Sequence, residues 1–258
     1  MTTESRLPAR MERWRPVLEM VALVFVIVTC ITMLAIALLP RILPSVETTT
    51  RAATGATPPP MPAPAPLPVA PVSIAGAAIR GNPTARVAII GYSDYQCPYC
   101  ARFANETLPG LERTYLSSGQ VLFAFKHLPI ESIHRRAVAA AEAAECAGRQ
   151  GLFWPMHDRL FADPKRLEPE DIQTRAVALS LDLAAFDRCT QGQSADRVRA
   201  DVAEAKSLGI AGTPTFFIGT VDADGRVKVV EQLRGAQPLA AFAAIIDRLL
   251  DNARKSIQ

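Results

Sequence analysis

The 258-residue chain is poor in the residues that mark several large classes of protein. It has 5 cysteines, 3 histidines and a formal net charge of only +3. Five cysteines are too few for a small scaffold that is held together by disulfides. Apolar residues make up 49% of the chain, which is ample for a hydrophobic core and excludes a wholly disordered protein.

An excess of charge of one sign is also absent from most of the chain. Residues 1–80 hold 7 of the 28 Lys and Arg residues and 4 of the 25 Asp and Glu residues, so residues 81–258 carry 21 of each sign. Proteins that bind nucleic acid need clustered positive charge, and this neutral region has no stripe of Lys and Arg. We therefore expect no nucleic-acid partner.

One segment, residues 21–39, lacks charge altogether and is long enough to cross a bilayer as a helix. Four arginines precede it and two follow closely, so the positive-inside rule places residues 1–20 in the cytoplasm. This predicts a single-pass anchor in the cell membrane, with the rest of the chain periplasmic or otherwise extracytoplasmic. A cleaved signal peptide is the alternative, although its A-x-A string, residues 35–37, lies inside the apolar run. A lipoprotein signal ending at Cys30 is disfavoured by Thr29.

Residues 40–77 form the predicted linker, and their prolines are concentrated in one stretch. Residues 58–71 contain 8 of the chain's 21 prolines. Such a sequence favours polyproline II and could hold a domain about 40 Å from the bilayer. Disorder with no mechanical role is the alternative.

Beyond the linker, strand patterns and helix patterns follow one another. A buried strand at 87–90 precedes a Cys-x-x-Cys motif, and a turn at 222–225 predicts an antiparallel hairpin between 216–221 and 227–230. The other predicted strands are 121–125 and 210–218, and the predicted helices are 101–115 with a kink at Pro109, 133–147, 198–208 and 239–249. This order predicts a thioredoxin-like α/β fold that carries an insertion.

The motif Cys97-Pro98-Tyr99-Cys100 is the main candidate for chemistry. Unpaired N–H groups and the helix dipole favour negative charge on a sulfur at the start of a helix. Only a thiolate attacks a disulfide, so Cys97 is the predicted exposed nucleophile and Cys100 the resolving thiol. Half of a zinc site is the alternative, but the chain has no second Cys-x-x-Cys motif. We expect no metal site and no cofactor.

The string SDYQCPYC at residues 93–100 resembles the active site of the DsbA-like thiol:disulfide oxidoreductases, which have the thioredoxin fold. The resemblance extends through FKHLP at 125–129, QGLFW at 150–154 and GTPTFF at 212–217, and covers about residues 78–252. It implies a cis peptide bond between Thr213 and Pro214 beside the cysteines, where the Thr213 backbone could pair with an extended substrate. It also implies a helical insertion, which the separation of the cysteines from Pro214 places near residues 131–208.

Two further expectations depend on this resemblance. The family commonly has a buried acid six residues before the first cysteine, where this chain has Gly91. Asp94 then becomes a possible proton acceptor unless its loop holds it in solvent, and a helix-capping or turn residue is the alternative. Some relatives carry a second disulfide in the insertion, which implies a Cys146–Cys189 bridge here. Two buried thiols are the alternative.

The three histidines are open to more than one interpretation. His127 is either a cation near the thiolate or a hydrogen-bonded structural residue. We expect His134 to cap the first helix of the insertion, and Trp154 and His157 to pack inside it.

The resemblance leaves the direction of the reaction open. The expected activity is oxidation of cysteine pairs in exported proteins, with a membrane redox partner that reoxidises the cysteines. An isomerase or reductase, which must stay reduced, uses the same site. A non-enzymatic metal carrier is a further alternative, although no Met lies beside the motif.

Overall fold

The computed structural model describes residues 66–255 together with Met20, Thr29, Thr32 and Met33. Apart from Thr29, Thr32 and Met33, the predicted anchor lies outside these described residues, and so does most of the predicted linker. Among the residues that are described, no helix combines the length and the apolar character needed to cross a bilayer. The described residues 66–255 belong to one compact unit, which contains all the elements below.

A six-stranded mixed sheet forms the centre of this unit. Its strand order is β1-β6-β5-β3-β4-β2, in which β3 and β4 are parallel and all other neighbours are antiparallel. The strands are β1 (Val72–Ser73), β2 (Ala78–Gly81), β3 (Val87–Ser93), β4 (Val121–His127), β5 (Thr215–Val221) and β6 (Arg226–Arg234).

Eight α-helices and three π-helical turns accompany the sheet in the described part of the chain. The helices are α1 (Pro98–Arg102), α2 (Leu108–Leu111), α3 (Ala137–Gly148), α4 (Phe153–Ala162), α5 (Pro169–Ala178), α6 (Leu183–Arg188), α7 (Ala195–Ser207) and α8 (Leu239–Lys255). The π-helical turns are Phe103–Thr107, Glu112–Leu116 and Cys189–Gln193.

Strands β3 and β4 are buried along their whole length, because both faces of the sheet are covered. One face packs against α1, the insertion and α8, with Phe103, Met156 and Phe242 in its core. The other face packs against α7 through Ala205 and Val202. The prediction of buried strands that begin near residues 87 and 121 is confirmed.

The insertion runs from α3 to α7, between β4 and β5, and agrees with the range predicted near 131–208. Cys146 on α3 and Cys189 at the end of α6 are both buried and form a disulfide, with Cα atoms 5.7 Å apart. The pairing implied by the family resemblance is therefore present.

The helix after the cysteines does not break at Pro109. A π-helical turn at Phe103–Thr107 comes immediately before α2, and Pro109 lies in the first turn of α2. Residues on both sides of Pro109 are helical, so the proline removes an amide that would otherwise bond within the helix. The π-helical turn before it is the local irregularity at this point of the helix.

The N-terminal boundary of the folded unit differs from the prediction. Strand β1, inside the predicted linker, pairs with β6 through Val72 and Val227, and Val72 is buried. Strand β2 pairs with β4 and was not predicted. Neither segment has the β-branched run that marks a strand in sequence. Each is short and depends on the partner strand for its conformation.

Candidate active site

The two cysteines lie where β3 gives way to α1. Cys97 is the N-cap residue, with extended backbone angles of φ −75° and ψ 122°, and Pro98 opens the helix. The Cys97 amide donates to the Asp94 carbonyl at 3.1 Å, and the Ala101 amide donates to the Cys97 carbonyl at 3.0 Å. This places the Cys97 sulfur at the helix N-terminus, as the sequence predicts.

Cys97 is less accessible than predicted, since the residue is only 5% exposed. Its Sγ lies 3.5 Å from the Thr213 carbonyl oxygen, so the loop before β5 covers it from one side. The exposed parts of the motif are instead Pro98 and Tyr99, and Tyr99 is 56% exposed. The prediction of an exposed nucleophile was wrong because nothing in the motif itself reveals the covering loop.

The structure holds both cysteines as free thiols with opposite acidities. A hydrogen bond from the Cys100 thiol, aided by backbone N–H groups of the helix, lowers the pKa of Cys97 to about 6. Burial, and then the neighbouring Cys97, raise the pKa of Cys100 well above its usual value. At neutral pH the pair therefore holds one negative charge, on Cys97, and one proton, on Cys100.

The loop before β5 contains the Thr213–Pro214 peptide bond, which is cis, as the family resemblance implies. The Gly235 amide donates to the Pro214 carbonyl at 2.8 Å, and the Thr215 hydroxyl donates to the Gly212 carbonyl at 2.7 Å. The first bond joins the loop to the residue that follows β6, and the second closes the loop on itself. The loop thereby fixes the Thr213 backbone beside Cys97.

Asp94 is not in solvent, since it is 1% exposed. Its carboxylate accepts hydrogen bonds from the Gln96 amide, the Ile130 amide and Nδ1 of His134, each at 2.8 Å. The carboxylate therefore ties the cysteine loop to the start of the insertion. His134 binds Asp94 and does not have the helix-capping role that was predicted for it.

Gly91 is enclosed by aromatic side chains. A Cβ atom at this position would lie 2.8 Å from Cε2 of Phe123 and 3.3 Å from Cδ1 of Phe216. The space that an acidic side chain would need is thus filled by rings. The sequence showed the missing acid but not the packing that replaces it.

The three remaining predicted residues, His127 at the end of β4 and Trp154 and His157 in α4, have structural surroundings. Nε2 of His127 pairs with Glu145 at 2.8 Å, and its ring packs against Tyr95 and Phe153, so it has the structural role. The Trp154 indole donates to the Ile79 carbonyl at 2.9 Å. His157 bonds Asp158 at 2.8 Å and packs among the same aromatic rings.

Sequence reasoning missed a buried polar cluster on the opposite face of the sheet. Glu204 of α7 accepts hydrogen bonds from Lys126 and, at 2.8 Å, from the Tyr92 hydroxyl. Beside it, Asp201 pairs with Arg197 and accepts from the His127 amide at 3.1 Å. No local motif brings these residues together, since they come from strands and a helix more than 70 residues apart.

Within the described part of the chain, no group of three or more His, Cys, Asp or Glu residues is arranged to hold a metal ion. The polar partners of the two sulfurs are hydroxyl, thiol and backbone groups. Such an arrangement suits exchange between sulfur atoms.

Comparisons with known proteins agree with this geometry. Residues 74–236 match a family model described as thioredoxin. The Na(+)/H(+) antiporter NhaA 3 of Salinispora tropica is 35% identical over 167 residues, which cover 64% of this chain and 25% of the antiporter. The chain thus spans about a quarter of the length of the curated relatives that it matches.

Two solved structures are similar over most of the described chain. Wolbachia pipientis alpha-DsbA1 is 23% identical, has a TM-score of 0.63 and aligns with 72% of this chain and 97% of its own. A thioredoxin-like oxidoreductase from Silicibacter pomeroyi is 26% identical, has a TM-score of 0.55 and aligns with 69% of this chain and 92% of its own. The predicted α/β fold with a helical insertion is confirmed. The chain belongs to the thioredoxin family and has the fold of its DsbA-like members.

Proposed function

We propose that this chain is a thiol:disulfide oxidoreductase that oxidises cysteine pairs of exported proteins through a Cys97–Cys100 disulfide. The observation that carries the proposal is the pair of thiols with opposite acidities at the start of a helix, beside the Thr213 backbone. A nucleophile needs a thiolate at neutral pH, and a resolving thiol must stay protonated until it is needed.

The oxidation proceeds in two exchanges. A substrate thiolate attacks Sγ of Cys97 in the disulfide, a bond forms between these sulfurs, and the electron pair of the broken bond leaves on Cys100. A second substrate thiolate then attacks the substrate sulfur of the mixed disulfide and releases Cys97 as a thiolate. The substrate loses two electrons and two protons, of which Cys100 keeps one proton and solvent takes the other.

The oxidising direction is supported by the low pKa of Cys97. A stable thiolate stabilises the reduced protein, and a pair whose reduced form is stabilised is a stronger oxidant. We expect a reduction potential above about −180 mV, the value typical of protein disulfide isomerase. The measurement is equilibration of the purified protein with glutathione buffers. A potential near the −270 mV of thioredoxin would favour a reductase instead.

Trapping of substrates tests the reaction itself. In a Cys100→Ser variant, the Cys97 thiolate can still attack a disulfide of a client protein and expel one of its sulfurs as a thiolate. No Cys100 thiol remains to displace Cys97 from the other client sulfur, so mixed disulfides on Cys97 should accumulate in cells. The matched control is Cys97→Ser, which should trap nothing. Equal trapping by the two variants, or none by Cys100→Ser, would leave the metal carrier as the better explanation of the two cysteines.

The proposed location is the outer face of the cell membrane, with residues 21–39 as the anchor and a membrane redox partner that reoxidises Cys97 and Cys100. Support comes from the uncharged run, the arginines that precede it and the disulfide between Cys146 and Cys189, since disulfides persist in oxidising compartments. Protease added to intact spheroplasts should digest the domain and leave the chain's first residues protected. A domain that becomes accessible only after lysis would contradict this location.

A further inference from the structure

Cys100 is buried, and the partners of its sulfur in the described structure include no carboxylate. The residue has 0% exposure, and the polar groups that the described structure places on its Sγ are the Cys97 thiol, the Ser93 hydroxyl and the Asp94 amide. The rings of Phe123 and Phe216 fill the space next to Gly91. A charge on the Cys100 sulfur therefore depends on Ser93 and Asp94 for its stabilisation, because a buried charge is costly without hydrogen bonds.

Ser93 is fixed as the last residue of β3. Its carbonyl accepts from the Leu128 amide at 2.8 Å, and it pairs in register with His127 of β4. The residue is 6% exposed and its hydroxyl hydrogen-bonds the Cys100 sulfur in the sense that favours the thiolate. Because the Ser93 backbone is fixed in the sheet, a hydroxyl on this residue needs little rearrangement to donate when charge develops.

Asp94 contacts both cysteines through its backbone. Its amide lies 3.4 Å from the Cys100 Sγ, and its carbonyl accepts from the Cys97 amide. The buried carboxylate of Asp94 is anchored by Ile130 and His134. His134 therefore positions the Asp94 amide without touching either sulfur.

Given the proposed function, we propose that the Ser93 hydroxyl and the Asp94 amide form a donor pair that holds the Cys100 thiolate when it leaves the disulfide. The bond between Cys97 and Cys100 breaks as the incoming sulfur bonds Cys97, and the electron pair passes to Cys100 Sγ. Ser93 and Asp94 donate to it until it takes a proton from solvent. Ser93 is then a catalytic residue, and His134 is a positioning residue that acts through Asp94.

The test uses the oxidised full chain and reduced glutathione as the attacking thiol. Ser93→Ala should slow the opening of the disulfide about tenfold at neutral pH, because a hydrogen bond to a charged group is lost and the leaving thiol becomes less acidic. Ser93→Thr keeps the hydroxyl and should recover most of the rate that Ser93→Ala loses. Equal rates for Ser93→Ala and the unaltered protein, or a Thr variant as slow as the Ala variant, would overturn the role of Ser93.

A second readout separates catalysis from a loosened fold. Cys100 expels glutathione from a mixed disulfide on Cys97 only as its thiolate, so the rate of expulsion rises with pH. Ser93→Ala should shift this profile to higher pH, whereas a purely structural change would lower the rate without moving the profile along the pH axis. An unmoved profile would therefore count against the proposal.

His134 provides an independent variant in case Ser93→Ala does not fold. His134→Ala should slow disulfide opening by a few fold, and His134→Asn, whose Nδ2 can donate where Nδ1 of histidine does, should restore it. An unchanged rate in His134→Ala would overturn the part assigned to Asp94. If glutathione opens the disulfide but reduced protein substrates are not oxidised, the proposed function fails. The ratios of disulfide-opening rates between the variants and the unaltered protein still test whether Ser93 and Asp94 hold the Cys100 thiolate.

Discussion

Cys97 makes the stability of the reduced protein depend on pH. Its pKa is about 6 in the folded reduced protein and near 9.0 when unfolded. A lowered pKa stabilises the folded state fully above the unfolded value, and this contribution is lost as the pH falls through the folded value. Between these two pKa values, each unit by which the pH is lowered should reduce the free energy of unfolding of the reduced form, relative to the oxidised form, by up to about 1.4 kcal/mol.

Urea unfolding of both forms at about pH 9 and about pH 5 measures this difference. Cys97→Ser is the control, because it removes the titrating thiol and should abolish the pH dependence that Cys97 contributes. A reduced protein whose stability follows that of the oxidised form at both pH values would show that the thiolate is not stabilised by the fold.

Gly91 shows how packing limits what can be inferred from a single residue. Adding an acid there would place its Cβ 2.8 Å from Cε2 of Phe123 and 3.3 Å from Phe216. We expect Gly91→Glu to destabilise the oxidised protein by at least about 3 kcal/mol, since overpacking and a buried charge both oppose it. Urea unfolding measures this loss, and Gly91→Ala, which adds only the Cβ, should lose less. A Gly91→Glu protein as stable as the unaltered one would mean that the rings can move aside.

At the scale of elements, the strands and helices that could be predicted from the sequence are those whose conformation depends on residues within the same segment. The buried runs of β3 and β4, the hairpin of β5 and β6 and the helix α7, which ends just before Gly209, each depend on neighbouring residues, and all are present. The pairing of β1 with β6, the burial of Asp94 and the covering of Cys97 by Thr213 depend on residues far apart in sequence. Their causes are tertiary, so no pattern within one segment indicates them.

The insertion is held to itself by the disulfide from α3 to the end of α6. The closed loop spans 43 residues, for which the chain-entropy model gives about 4 kcal/mol of stabilisation. Cys146→Ala combined with Cys189→Ala should lower the free energy of unfolding by that order. The redox potential of Cys97 and Cys100 should stay unchanged, because the hydrogen-bond partners of their sulfurs in the described structure do not include the bridge. A large shift in the potential would show instead that the stability of the insertion affects the redox potential of Cys97 and Cys100.

At the scale of the whole molecule, the sheet gathers the site from distant parts of the chain. The parallel strands β3 and β4 end side by side, which brings the cysteine loop next to the loop that enters the insertion. Strand β5 runs antiparallel to β3, so its first residue, Thr215, meets Tyr92 at the same end of the sheet. The loop that carries Thr213 therefore arrives beside Cys97 although 116 residues separate them.

The same topology predicts that the N-terminal strand supports stability but not redox chemistry. Strand β1 pairs with the first residues of β6, whereas Arg234, at the other end of β6, pairs with Thr215 near the site. A chain shortened to begin at residue 78 loses the buried Val72 and the 3.1 Å bond from Arg197 to the Ala75 carbonyl. Compared with a chain that begins at residue 66, it should be less stable by about 2 kcal/mol or more.

Urea unfolding and glutathione equilibration of the two shortened chains test this separation. The chain from residue 78 should unfold at lower urea, while its reduction potential should match that of the longer chain, because the groups around Cys97 and Cys100 are unchanged. Val72→Ala in the chain from residue 66 separates side-chain packing from strand pairing and should cause part of the loss. Equal urea midpoints would show that β1 adds nothing to the fold, and a shifted potential would show that the edge of the sheet is coupled to the cysteines.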